Sequence, residues 1–395
     1  MGARVAVMGG SLGGLTAALV LRDSGCEVDV YERSSAPLRD RGAGIVLHPA
    51  TVRYLVERGV RDSGEIGVAA RVLRYLGPDG EVASEQPCRY RFTSYYALYE
   101  DLLACFDAER YHLAREVTGF DAGEEGVAVR LGDDARAQAD LLVCADGVRS
   151  SARARLLPDV EPAYAGYVGW RGALRESELG CAAFDALGGA ITYHVLANSH
   201  VLTYPIPGVD GGVTDERMLN WLWYCNVPDG EPLDGLLTDR EGVRRSASVP
   251  PGHVQERHLA SLRADAAARL PGPLAEVVAA TDHPFVQTVF DVEVPRMAFG
   301  RVCLIGDAAF ALRPHVAAGT AKAAEDGWRL ADAMAACGHD VLAALRRWEP
   351  GQLALGRSAL GRTRDAGERS QFRSTWRVGD PLPFGLYRQG DSALD

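Results

Sequence analysis

The chain has 395 residues, 47% of them hydrophobic, and a formal net charge of −11. That length holds two ordinary domains, or one large domain with a second inserted, around a core of normal size. The acidic balance argues against a nucleic-acid binder, which would show a basic face, and no apolar run approaches a membrane span.

Eight cysteines are dispersed, with no C-x-x-C pair and no Cys/His cluster at metal spacing. Cys26, Cys144, Cys225 and Cys303 sit in apolar segments and read as small core residues of a reducing compartment, with no metal site. The first strand begins near residue 4, leaving no room for a signal peptide, so a cytoplasmic location is expected. Lys322 is the sole lysine, a bias that accompanies heavy Ala and Gly usage.

Residues 4–32 read as strand, Gly-rich turn, helix 14–24 and strand 28–31. Helices are expected at 48–59 and 97–106; between them strands 71–77 and 81–84 flank Pro78-Asp79-Gly80, a hairpin signal. Another hairpin spans 116–131, and 141–145 is a short apolar strand of the kind buried on both faces. From 164 the texture changes: 164–174, 190–196, 201–206 and 218–227 are rich in Tyr, Trp, Val and Thr, which suits an antiparallel sheet. Along 218–226 one face carries Leu219, Trp221, Trp223 and Cys225, the other Asn220, Leu222, Tyr224 and Asn226; either face could line a pocket. Helices 258–270 and 274–280 follow, then strands 286–294 and 302–305 and helices 317–337 and 341–360, with 379–395 an irregular tail.

Three segments carry chemistry. Gly9-Gly10-Ser11-Leu12-Gly13-Gly14 follows a strand and opens a helix. Gly9 makes the tight turn and Gly14 lets helix and strand pack closely. Ser11 stands where glycine would let backbone approach a pyrophosphate, so its Cβ must point away or its hydroxyl must bond a phosphate. Glu32 ends the second strand at the spacing of a carboxylate that grips ribose hydroxyls, which favours FAD or NAD over NADP. The second segment runs from Cys144 through Asp146-Gly147 to Arg153, a strand end and a helix start that Ser150 can cap; Asp-Gly is also a common turn. In the third, an apolar strand ends on Gly306-Asp307, and Arg313-Pro314-His315-Val316-Ala317-Ala318-Gly319-Thr320 leads into a long helix. One carboxylate and a set of unpaired helix N–H groups then aim at one small volume, which suits the flavin of FAD.

With those residues in place the sequence resembles the class A flavin-dependent aromatic hydroxylases, single-component FAD monooxygenases. Asp146, Gly147, Ser150 and Arg153 match their Asp-Gly-x-x-Ser-x-x-Arg segment; Gly306, Asp307, Ala308, Ala309, Pro314, Gly319, Ala323 and Asp326 match the late Gly-Asp segment. Gly-Gly-Ser at 9–11, the stretch 164–172 and the stretch 313–322 are similar to the 2,6-dihydroxypyridine 3-monooxygenase branch. Departures are Arg313 for the first proline of Pro-Pro, Ala317-Ala318 for Gly-Gln, Ala321 for Asn, and Tyr95 where an Arg often contacts the cofactor.

The resemblance implies an α/β fold: a discontinuous Rossmann-like FAD-binding domain (1–75, 97–163, 285–340), an inserted antiparallel β-sheet substrate domain (76–96, 164–284), and C-terminal helices and tail (341–395). It implies cofactor contacts at Gly9, Ser11, Leu12, Gly14, Glu32, Arg33, Gly44, Asp146, Arg153, Gly306, Asp307, Ala317, Ala318, Gly319 and Thr320. Arg41 is the local cation for the phosphates or an incoming nicotinamide nucleotide, or else a solvated loop residue beside Arg39.

The implied chemistry is reduction of FAD by NADH or NADPH, addition of O2, and attack of the flavin C4a-hydroperoxide on an electron-rich ring. That requires a positive helix end near the flavin, a roof that excludes water, and an acceptor for the proton of the substrate hydroxyl. Candidates for the acceptor are His48, which alternatively just begins a helix ahead of Pro49, and His315 in the cofactor loop. Tyr193, Tyr204 and His194 lie on the facing strands, where tyrosines also serve as packing, and Pro314 by family position offers its carbonyl.

The expected activity is FAD-dependent hydroxylation of a small aromatic or N-heteroaromatic ring, hydroxypyridine-like. Alternatives are a phenolic natural-product intermediate, with or without loss of a ring carboxylate, and a non-catalytic flavin-binding redox sensor. Trp221-Leu222-Trp223 with Pro228 is similar to a halogenase signature, but the proline comes two residues late and the N-terminal half has no lysine. Coenzyme preference and oligomeric state, a homodimer included, stay open.

Overall fold

The computed structural model describes residues 2–38, 44–62, 64–132, 135–208 and 217–394. Two large sheets organise them. The first runs in the order Ala298–Phe299, Val302–Leu304, Leu141–Cys144, Arg4–Met8, Glu27–Tyr31, Tyr111–His112. Its four central strands are parallel, and continuous apolar runs such as Leu-Leu-Val-Cys fit there because both faces are covered.

Register decides what the carboxyl edge of this sheet presents. Met8 lies opposite Cys144, and Cys144 opposite Leu304. Ala145 N–H donates to Met8 O at 2.8 Å, and Ile305 N–H to Cys144 O at 3.0 Å. The loops that follow residues 8, 144 and 304 therefore leave one edge side by side, where open α/β sheets bind ligands. Gly9 turns the first loop at φ +102°. A Cβ on Gly14 would lie 1.9 Å from Gly9 O, so the helix Leu12–Asp23 packs this close only with glycine there.

The second sheet has nine strands, in the order Ser248–Val249, Phe285–Asp291, Ala163–Arg175, Met218–Asn226, Ser199–Ile206, Ala190–Leu196, Val68–Leu76, Val82–Ser94, Gly44–Val46. All of its pairs are antiparallel except Ala190–Leu196 with Val68–Leu76. Three of its strands, Gly44–Val46, most of Val68–Leu76 and Phe285–Asp291, lie in segments assigned from sequence to the FAD-binding domain. Apolar texture reveals that a strand exists; its partner is set by side chains far away in the chain. The hairpin expected at 116–131 gains a third strand, Arg136–Ala139.

The helix Gly319–Ala336 packs on Leu12–Asp23, with Gly327 against Ala17. The last helix, Val341–Gln371, runs well past the expected end at 360. Thr363, Ser370 and Gln371 interrupt its apolar period yet are buried. The tail 379–395 is irregular as expected, but Leu382, Phe384 and Leu386 are buried in it, as is Trp376 just before it. Among the described residues no helix is long and apolar enough to cross a membrane.

Candidate active site

The carboxyl edge of the first sheet and one face of the second enclose a cavity of about 490 Å³. One end is loop backbone: Ser11 to Gly13, Gly147 and Val148, Gly306 and Asp307, and Ala317 to Thr320. The other end is sheet. His200, Leu202 and Tyr204 alternate along one strand, and Leu222 and Tyr224 along its neighbour, with His200 opposite Tyr224. The face bearing Leu222 and Tyr224 is thus the lining, while Trp221 and Trp223 pack into a separate core.

At the loop end the cavity meets two helix starts that no side chain among the described residues caps. The helix Leu12–Asp23 follows Ser11, whose Oγ lies 2.8 Å from Tyr95 OH instead of bonding the helix. The helix Gly319–Ala336 follows Ala318, which has no capping group. Beside them the helix Ser151–Leu156 is closed: Arg153 N–H donates to Ser150 Oγ at 2.9 Å, and Ala152 N–H to Asp146 Oδ2 at 3.2 Å. Open helix N-termini offer N–H donors and positive potential to an anion.

Asp307 exposes its carboxylate to the cavity, and no hydrogen bond from the described residues reaches it. Desolvation in the recess of the cavity pushes its pKa up to about 6, with Arg153 and Lys322 pulling the other way. Lys322 itself is fully buried and paired to Asp326 at 2.6 Å, and Asp326 accepts the Gly306 N–H at 2.9 Å, which fixes the loop. A Cβ on Gly319 would meet no protein atom within 4 Å. A carboxylate without a partner, two open helix ends and free space at a lining glycine fit FAD, with its hydroxyls, phosphates and electron-accepting ring.

Of the residues expected to touch the cofactor, Ser11, Leu12, Gly44, Gly306, Asp307, Ala317, Ala318, Gly319 and Thr320 line the cavity. Gly9, Gly14 and Glu32 are not lining residues; Glu32 accepts the N–H groups of Gly10 and Ser34, each at 2.9 Å, and so shapes the first loop. Asp146 and Arg153 are not among the residues that line the cavity. Asp146 caps the helix after it, and the Arg153 guanidinium is spent on the carbonyls of Ala308, Val148 and Val160, tying two loops together. Arg33 is exposed, and Arg41 falls outside the described residues.

The candidates for proton chemistry separate likewise. His48 is off the cavity with both ring nitrogens engaged: Nδ1 accepts Ala50 N–H at 3.0 Å and Nε2 faces Asp391 Oδ1 at 3.3 Å. It caps the helix Pro49–Glu57 and does not reach the cavity. His194 is also off the wall, bonded to Leu76 O. Pro314 lines the cavity while its carbonyl accepts Ala317 N–H at 3.0 Å. Tyr193, Tyr204 and His315 are on the wall. Tyr204 OH donates to Gly44 O at 2.8 Å, anchoring the edge strand.

His315 is 4% exposed, with Nε2 2.7 Å from Tyr167 OH and no partner for Nδ1. Burial, then His200 and Arg313, hold its pKa well below the usual histidine value. Burial also takes His200 down to about 3 and lifts Tyr193, Tyr204 and Tyr224 above the usual tyrosine value. His200, Tyr224, Arg171, Trp376 and Phe384 join the wall without having been singled out from sequence. Tyr224 was visible as an alternating position; the tail aromatics lay beyond any periodic signal.

A model described as "FAD binding domain" matches residues 2–169, and one described as "FAD binding domain-like" matches 164–291. The 2,6-dihydroxypyridine 3-monooxygenase of Paenarthrobacter nicotinovorans is 40% identical over 385 residues, 97% of this chain and 96% of that one. The 3-amino-4-hydroxybenzoate 2-monooxygenase PtmB3 of Streptomyces platensis is 27% identical over 92% of this chain and 87% of its own. The solved 2,6-dihydroxypyridine-3-hydroxylase from Arthrobacter nicotinovorans aligns with a TM-score of 0.93 at 39% identity, covering 98% of each chain. Similarity at that level along the whole length, joined to loops shaped for the cofactor, places this chain in the family of class A flavin-dependent aromatic hydroxylases, which use FAD, NAD(P)H and O2 to hydroxylate aromatic rings.

Proposed function

We propose that the ring this enzyme hydroxylates is a small, electron-rich, hydroxylated N-heteroaromatic, a hydroxypyridine first among them. The observation that carries this reading is the aromatic sleeve at the sheet end of the cavity. Tyr193, Tyr204, Tyr224 and Trp376 supply flat apolar walls, and His200 and His315 supply uncharged polar edges, each at most 6% exposed. The relatives named for dihydroxypyridine turnover support the same choice.

When bound, FAD supplies the two-electron redox chemistry that couples NAD(P)H and O2 to the ring. Asp307 would accept from its chain hydroxyls, the start of the helix Leu12–Asp23 would receive its phosphates, and the start of Gly319–Ala336 would face its electron-accepting edge. That helix end carries roughly half a positive charge, which stabilises negative charge placed before it. The sleeve keeps water from the reacting ring. The balanced outcome is one ring C–H converted to C–OH, one NAD(P)H oxidised, and one O2 divided between the product and water.

Counting partners assigns the proton on His315. Tyr167 is fully buried, and the one acceptor found for its hydroxyl hydrogen among the described residues is His315 Nε2. If Nε2 donated instead, both the phenolic hydrogen and Nδ1 would be left unspent, so the favoured arrangement puts the proton on Nδ1. With Nε2 taken by Tyr167 and the proton on a buried Nδ1, His315 is not placed to act as a base.

A panel of hydroxypyridines and simple phenols, assayed for NAD(P)H and O2 consumption and hydroxylated product, tests the proposal. Equal consumption and product with a hydroxypyridine is expected. Oxidation at one rate with and without any ring, with all O2 recovered as H2O2, would contradict it.

A further inference from the structure

The sheet wall of the cavity carries a single formal charge among its described residues, on Arg171. This residue lies on the strand Ala163–Arg175 opposite Leu222, and it lines the cavity. Its side chain leans back over Gly169, with Nε 3.9 Å from the point a Cβ on that glycine would occupy, beside Tyr224. No carboxylate or hydrogen-bond acceptor for its guanidinium is found among the described residues, and Nε is buried without a partner. The nearby Arg313 shows the usual alternative, since its guanidinium is held by Asp291 at 3.0 and 2.9 Å.

Its terminal nitrogens are not shut away as Nε is, so the N–H donors they carry are open to an acceptor that enters the cavity. The titratable groups that share its wall do not answer it. Tyr193, Tyr204 and Tyr224 have pKa values raised by burial, and His200 and His315 have theirs lowered, which leaves all five uncharged near neutrality. The carboxylate in the cavity, Asp307, sits on the loop at the cofactor end. What remains to pair with Arg171 is the ring ligand.

We propose that Arg171 selects ring substrates able to carry an oxyanion, and that the substrate enters as the deprotonated hydroxy-heteroaromatic, with Arg171 as counter-charge. The hydroxyl proton passes to solvent before the ring enters the cavity, so no protein base removes it inside, and the electron pair left on oxygen enriches the ring for hydroxylation. This rests on the hydroxylase reading above and names the ionic form that the site takes.

The test is equilibrium binding to the FAD-loaded enzyme, followed in the ligand's ultraviolet band and the flavin's visible band, with calorimetry in two buffers to count protons. For wild type, binding of a hydroxypyridine below its own pKa should release about one proton per ligand and show the anion's spectrum. Arg171→Met should weaken that ligand by about tenfold or more, Arg171→Lys should recover much of the loss, and a methoxypyridine should bind both proteins alike. A merely structural arginine would lower FAD affinity or thermal stability in both variants and would affect the two ligands equally; that result overturns the proposal. So does a wild-type complex whose ligand stays neutral with no proton released. If no hydroxylated ring binds wild type or perturbs its flavin, the parent reading falls and takes this one with it.

Discussion

Ser11 Oγ and Tyr95 OH lie 2.8 Å apart, and each stands where the family pattern has a different residue. A serine in the place of glycine threatens the approach of a phosphate; a tyrosine in the place of arginine removes a cation. Together they form one hydrogen bond at the edge of the cavity that takes the seryl hydroxyl out of competition for the ligand. Ser11→Ala and Tyr95→Phe should each weaken FAD binding to the apoprotein about fivefold, the worth of roughly 1 kcal/mol, and the double variant should be no weaker than either. Additive losses in a fluorescence titration would show that the two hydroxyls act separately.

Asp307 links function to stability. Its pKa in the protein, about 6, is above the ordinary 3.8, so between those values the folded state holds more proton than the unfolded. Stability of the FAD-free protein is therefore lost through this group as pH rises across that window. Asp307→Asn should be more stable than wild type without FAD at about pH 8, and the gap should close toward about pH 4. The same variant should bind FAD about tenfold or more weakly, because a charged acceptor for its hydroxyls is gone. Denaturant curves on both proteins at several pH values check the first claim; identical pH dependence would refute it.

His48 holds two pieces of chain together. Its Nδ1 caps the helix Pro49–Glu57, and its Nε2 meets Asp391, which also accepts the N–H groups of Leu386 and Tyr387. His48→Ala should cost about 1 kcal/mol of stability and expose the tail to proteolysis, with FAD retained. A proton-transfer residue would instead lose about a hundredfold or more in rate at unchanged stability. The melting temperature and kcat, measured together, separate these outcomes.

Trp376 should govern coupling. It is 6% exposed, stacks on His200 at 5.3 Å between ring centroids and on Tyr193 at 6.0 Å, and closes the sleeve. Trp376→Ala should cost about 3 kcal/mol and let water in, so that H2O2 rises and hydroxylated product per NAD(P)H falls. Unchanged coupling in a folded variant would remove the tail from the seal.

The cofactor end was legible in sequence because each of its loops is a short Gly or Asp motif directly after an apolar strand, and parallel register sets those strand ends side by side. Even there, side-chain roles were less legible than positions. Arg153 belongs to the motif, but its guanidinium reaches backbone carbonyls that only the folded loops bring near. His48 before Pro49 carried a helix-start signal of its own, and the folded chain has His48 at the cap of that helix. The ring end depends on pairing between strands that no local pattern specifies. Arg171 is unremarkable among so many arginines until its missing partner is seen. Trp376 and Phe384 reach the cavity because a helix with buried polar residues runs on and returns the tail across the sheet.

The most direct test of the account is a crystal structure of the FAD-loaded enzyme with a hydroxypyridine bound. FAD should lie along Ser11, Asp307 and Gly319, with the ligand in the sleeve against Tyr224 and His315 and its oxygen facing Arg171. FAD seated away from Asp307, or a ring bound outside the sleeve, would contradict it.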